Sequence, residues 1–167
     1  MSNTSNKLGK LVKSSLIILS ISLITNNPAI GETKQKLPMF ADVTIKHSFT
    51  PDPLIMTGMS GGSVPAVEIS GQKETQPIGT CKGFVDKDPD HTLTLQSRFD
   101  YLKLQVESPA DTTMIIKGPG GTWCNDDFDR QNPGIVGEWL EGTYKIWVGS
   151  YDKDQYFPYR LKITEVK

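Results

Sequence analysis

The chain has 167 residues, with 18 Lys+Arg against 19 Asp+Glu and a net charge of −1. Its first 31 residues hold three of the lysines and none of the acids, so the remainder stands at −4, a balance that speaks against nucleic acid or an anionic membrane surface as partner. At that length the remainder makes one domain, too small for a protease with an accessory module.

In chain order, Lys7, Lys10 and Lys13 precede an apolar run at 16–24 (LIILSISLI), and Ala29-Ile30-Gly31 has the small-x-small form of a cleavage site. This predicts a signal peptide over 1–31 with cleavage before Glu32; the competing reading is an uncleaved anchor. The run is too short to span a bilayer, and no later segment has the apolar length to insert stably. Residues 32–37 are charged and predicted to be loose. Residues 38–78 read as an extension that packs on the main domain. Its strand at 40–49 is broken by Pro51 and Pro53. A flexible glycine turn or linker follows at 57–63, then a short edge strand at 66–70 and a polar loop at 71–77.

The domain proper is expected over 79–167. Strands are predicted at 80–85, 91–96, 101–107, 112–117, 144–148 and 157–166. Alternation puts Leu93 with Leu95, Leu102 with Leu104 and Val106, and Leu161 with Ile163 on single faces. Almost nothing outside the leader carries a helical period. Short strands separated by Gly, Pro, Asp and Asn turns predict an all-β fold, an antiparallel β-sandwich. Cys81 and Cys124 form an even pair in an exported chain and are expected to close one disulfide.

Asp111-Thr112-Thr113, Gly118-Pro119-Gly120-Gly121, Asn125-Asp126-Asp127, Asn132-Pro133, Ile135, Gly142-Thr143-Tyr144 and Trp147-Val148-Gly149-Ser150-Tyr151 follow one another over about 80–166. This course resembles the bacterial pre-peptidase C-terminal domain. The resemblance implies a jelly-roll-like sandwich. Members of that family often trail secreted proteases, where they assist secretion or bind substrate, and some bind calcium. The cysteine pair and the extension at 40–63 depart from the family's general pattern and suggest a stand-alone form without a protease domain.

Asn125, Asp126, Asp127 and Asp129 make the sharpest polar cluster. Calcium takes six to eight oxygen ligands, and Asp152 and Asp154 would add to the set if the sandwich brings their loop to the same end. The competing reading is turn chemistry, in which Asn and Asp bond their own backbone. Asp86, Asp88 and Asp90 form a D-x-D-x-D string, but His91 stands where a calcium loop needs glycine, and a solvated turn is expected. Ser60 sits in Gly58-Met59-Ser60-Gly61-Gly62, a G-x-S-x-G match lacking the strand and helix that a nucleophile elbow requires. His47 and His91 are expected to pack or to face solvent, and Glu138 and Glu141 to be solvated. Trp147 lies opposite Tyr144, Ile146 and Val148 in its strand. With Tyr151 it would form a ligand-binding face, unless it packs under the N-terminal strand near Val43 and Ile45. Trp123 is expected on the disulfide.

These features predict a non-catalytic exported binding or accessory module, periplasmic or extracellular. Its ligand would be an envelope or extracellular polysaccharide or a protein, with calcium as the one candidate cofactor. The alternatives are a secreted hydrolase or protease using Ser60, and a partner or inhibitor of a separately encoded protease.

Overall fold

The computed structural model describes residues 37–72, 74–75 and 79–165. The predicted leader, its cleavage position, residues 32–36 of the loose N-terminus and the last residue of the final predicted strand lie outside them. Thirteen strands and one helical turn follow in order: β1 (Val43–Ile45), β2 (Leu54–Met59), β3 (Val64–Pro65), α1 (Ala66–Ser70), β4 (Glu74–Thr75), β5 (Gly79–Thr80), β6 (Phe84–Val85), β7 (His91–Leu95), β8 (Phe99–Glu107), β9 (Thr112–Gly118), β10 (Gly121–Asn125), β11 (Gly134–Trp139), β12 (Gly142–Ser150) and β13 (Pro158–Thr164). No helix among the described residues is long and apolar enough to cross a membrane.

Two sheets form the sandwich. One has the order β11-β8-β13-β2. The other is built around β12, which pairs β9 along Lys145 to Ser150 and, on its opposite edge, β7 along Gly142 to Ile146 and then β6 at Ser150. β10 extends this sheet beyond β9, β1 beyond β7 and β3 beyond β6. β4 and β5 form a separate two-stranded ladder.

Between the sheets lies the main core. Leu93 and Leu95, Leu102, Leu104 and Val106, and Leu161 and Ile163 point inward, as their alternation predicts. Tyr144, Ile146 and Val148 join them from β12, and Met114 and Ile116 from β9. A second cluster sits on the far side of the β9–β12 pair. There Ile115, Trp147, Val85, Ala66 and the half-cystines Cys81 and Cys124 pack together. Both central strands are therefore buried on two faces, which explains the dense apolar run TTMIIK in a sandwich of otherwise alternating strands. The Cys81–Cys124 bond is present, with the Cα atoms 5.1 Å apart.

Two local expectations are corrected and one unanticipated strand is found. Residues 57–59 of the expected turn or linker belong, with residues 54–56, to a strand in the four-stranded sheet, and its glycine serves packing. A Cβ on Gly58 would lie 2.4 Å from the Tyr159 hydroxyl. Residues 66–70 form one α-helical turn rather than an edge strand. Ala66 and Ser70, four apart, are both buried, and Gly71 closes the turn in the left-handed region with its N–H on Val67 O. Strand β11 has no strand-like pattern in the sequence, because Val136, Gly137 and Glu138 are all exposed and the register slips between Gly137 and Trp139.

The N-terminal segment is woven into both sheets. Phe40 donates its N–H to Thr57 O of β2, while β1 runs parallel to β7. Beneath it, His91 Nδ1 lies 2.9 Å from Ala41 O and Nε2 lies 2.7 Å from the Tyr159 hydroxyl. A carbonyl only accepts, so Nδ1 carries the proton and Nε2 accepts from tyrosine. Burial pushes the His91 pKa down, in keeping with this neutral ring. The neighbouring Asp90 is also buried and accepts from Val148 N–H at 2.7 Å, and burial pushes its pKa up from 3.8 to about 7.

Two outcomes follow. The disulfide joins residues 43 apart in sequence, so replacing both cysteines with alanine is expected to lower unfolding stability by about 4 kcal/mol in the chain-entropy treatment, measured by urea unfolding. Asp90 favours its protonated form in the fold. Its contribution is therefore complete below pH 3.8 and is lost as pH rises through about 7. Asp90→Asn keeps an acceptor for Val148 N–H and should raise the melting temperature at pH 8, with the gain vanishing near pH 4. A lower melting temperature at pH 8 would mean that the carboxylate itself is the stabilising form.

Candidate functional site

The pairing of β9, β10 and β12 decides where the polar loops meet. Thr112 lies opposite Ser150, and Asn125 opposite Met114. Asp111, Asp126, Asp127 and Asp152 therefore emerge at one end of the sandwich, where Tyr151 N–H donates to Asp111 O at 3.1 Å. Asp111 is half-buried, and its pKa is raised by desolvation and then by the charges of Asp127, Asp126 and Asp152, with Lys82 opposing them. The sequence argument missed Asp111 as a member of this group, because it precedes a strand and shares no short motif with residues 125–129.

The oxygens of this loop are largely engaged within the protein. Asn125 Oδ1 accepts from Gly134 N–H at 2.9 Å. Asp126, itself buried, takes the Thr80 hydroxyl at 3.1 Å on one oxygen and Lys82 Nζ at 3.0 Å on the other. Asp129 and Asn132 close a tight turn through reciprocal backbone bonds, with Arg130 at φ 59° between them. The Asp129 carboxylate points to Gln105 Nε2 at 3.4 Å, and Asn132 Oδ1 accepts from the Thr112 hydroxyl at 2.9 Å. Asp154 holds a left-handed backbone and donates its N–H to Gly62 O. No three His, Cys, Asp or Glu side chains among the described residues converge on one point. The donor set does not fit calcium in this arrangement, since Asp126 already neutralises a lysine and Asn125 and Asp129 face different partners.

The remaining candidates separate in the same way. Asp86 and Asp88 are exposed, while Asp90 turns inward, so the D-x-D-x-D string does not converge. Ser60 is fully buried. Its hydroxyl lies 2.8 Å from that of Ser150 and accepts from Phe157 N–H at 3.3 Å. Gly62 presses against the backbone of β6, where a Cβ would come within 2.0 Å of Val85. The glycines around Ser60 thus serve close packing rather than an exposed elbow. His91 is bonded to Tyr159 and Ala41, and the exposed His47 pairs with Glu165 at 2.6 Å. Glu138 pairs with Arg98 at 2.7 Å and Glu141 is exposed.

Both tryptophan expectations are corrected. Trp147 is only 5% exposed, so the proposed Trp147–Tyr151 ligand face does not exist as such; Tyr151 alone is open, at 49%. Trp147 packs with the disulfide and α1, not with Val43 and Ile45. Trp123 instead stacks near Trp139 and Tyr144, with ring centroids 6.3 and 6.4 Å away. Tyr144, Ile146 and Val148 fill the space between the sheets, so the opposite face of β12 looks outward to the disulfide.

A further polar surface went unnoticed in the sequence. Arg160, Lys162, Lys103 and Gln105 line the outer face of the four-stranded sheet, opposite Leu161, Ile163 and Leu104. In sequence they are the solvent half of ordinary alternation. Only the register places them side by side.

No family model matches the chain. It is 29% identical, over 104 residues, to an uncharacterized protein of Synechococcus elongatus, covering 60% of this chain and 76% of that protein. Its structure is similar to the pre-peptidase C-terminal domain of collagenase from Bacillus anthracis. The TM-score is 0.43 with 13% identity, over 77% of this chain and 98% of that one.

Proposed function

We propose that the protein is a non-catalytic binding module of an oxidising, extracytoplasmic compartment, and that it recognises an extracellular or envelope polymer or protein. The observation that carries this reading is the burial of Ser60. Its hydroxyl is bonded to Ser150 beneath the surface, and both histidine rings are bonded elsewhere. A serine nucleophile needs a base within hydrogen-bond reach and access to a substrate carbonyl, and neither is met. The disulfide supports a location outside a reducing cytosol. The open sheet face and the loop end leave surface for a partner, including a separately secreted protease.

Two measurements test this. A fluorophosphonate probe is expected to leave Ser60 unlabelled, and Ser60→Ala to lower stability by about 1–2 kcal/mol through the loss of a buried hydroxyl pair; stoichiometric labelling of Ser60 would overturn the reading. The melting temperature is expected to be the same in EDTA and across a calcium titration. A native-state ligand raises it by mass action, so a saturable rise absent with magnesium and lost in Asp126→Ala or Asp127→Ala would restore a cation role for the loop.

A further inference from the structure

Among the described residues the outer face of the β11-β8-β13-β2 sheet is uncovered, whereas that of the β9–β12 pair is covered by α1, Cys81 and Cys124. On the open face, strand register fixes a line of cations. Arg160 lies opposite Glu107, Lys162 opposite Gln105, and Lys103 opposite Thr164. Arg160 and Lys162 are two residues apart on β13, so they repeat at about 6.8 Å along the strand, and Lys103 continues the line one strand over, about 4.8 Å to the side. Along residues 103–107 and 158–164 the only acid is Glu107, and it is bonded to Lys162. Asp129 also reaches this face, accepting from Gln105 Nε2, so three cations stand against two carboxylates, an excess of one positive charge on a chain whose part beyond residue 31 is net acidic.

The line of cations runs into a groove of about 590 Å³ whose walls include Met39, Met59, Pro109 and Pro158 together with Glu107 and Arg160. An apolar slot beside charges at strand pitch is specific in what it matches. A point anion would need converging donors, and these are spread along a line. An extended peptide presents alternate side chains on one face at the same pitch of about 6.8 Å.

We propose that this face binds an extended acidic segment of a partner protein. An apolar side chain would sit in the Met39–Met59–Pro158 groove and carboxylates at alternate positions would lie over Arg160, Lys162 and Lys103. Arginine offers its fork to a carboxylate in two parallel bonds, and the lysines act as point charges. The proposal rests on the binding-module reading and names its partner.

The test uses the whole protein and a synthetic heptapeptide, LTETETE, whose leucine and three glutamates share one face of the extended chain, titrated by calorimetry at low salt. The glutamine version of the peptide and a soluble polyuronate are the comparison ligands. Saturable binding of the glutamate peptide alone is expected. It should weaken about tenfold or more in Arg160→Gln with Lys103→Gln and weaken with added salt. Glu107→Gln removes the only acid of this run and should tighten binding, a gain that a folding defect cannot imitate. Equal binding of the glutamine peptide, insensitivity to these variants, or binding of polyuronate without the peptide would overturn the proposal. So would no binding of any ligand, while serine labelling tests the module reading separately.

Discussion

Ile115 and Trp147 lie directly opposite one another on the outer side of the β9–β12 pair, and the rest of the molecule is arranged around that contact. The same two strands send Met114, Ile116, Ile146 and Val148 into the space between the sheets. A strand pair buried on both faces cannot stand at a sheet surface unless something covers its outer side. Here the cover is α1, Val85 and the Cys81–Cys124 bond. The disulfide is thus part of a second small core and not merely a tether. It fixes the segment before β6 to the end of β10, and with it the start of the acidic loop at residues 125–129. The Trp147 indole Nε1 is buried there with no hydrogen-bond partner among the described residues, so its place is set by apolar packing.

Covering one sheet and leaving the other bare divides the surface chemically. The loop end collects Asp111, Asp126, Asp127 and Asp152, close enough that the other charges raise the pKa of Asp111. The open sheet face collects Arg160, Lys162 and Lys103. Each surface also holds an opposite charge in contact, Lys82 on Asp126 at the loop end and Glu107 on Lys162 on the sheet face, so the field each one presents comes from its excess charge alone. Another set of polar side chains, Ser60 and His91 among them, has the reverse fate. Ser60, Ser150, Asp90, His91 and Tyr159 are all buried, and their bonds join elements of the two sheets: Ser60 follows β2 and meets Ser150 of β12, while His91 of β7 meets Tyr159 of β13.

The sequence was most legible where one face of a strand met the core and the other met water. Leu93 with Leu95, Leu102 with Leu104 and Val106, and Leu161 with Ile163 alternate in sequence and in space. The sandwich follows from such patterns, and the disulfide from an even cysteine pair in a chain read as exported. Strand β2 was hidden because Gly58 sits in it for the sake of the Tyr159 ring, and local composition reads a glycine as a turn. Strand β11 was hidden because the sheet edge tolerates three consecutive exposed residues around a bulge. Trp123 was misplaced because neighbourhood in sequence suggested contact with Cys124, whereas adjacent residues of a strand point to opposite faces. Trp123, next to Cys124, must face away from it.

The candidate site was legible only as a list of residues. That Asp152 approaches the acidic loop depends on Thr112 pairing with Ser150, a contact between residues 38 apart whose register no local pattern encodes. The same holds for the cationic line, since Lys103 and Lys162 become neighbours only through the β8–β13 register. A one-residue slip in that pairing would turn Leu161 and Ile163 outward and bury Arg160 and Lys162. The hydrophobic core therefore specifies the position of the surface charges as tightly as it specifies its own packing. The placement of the surface charges is, in this sense, a by-product of the core register and shares its rigidity.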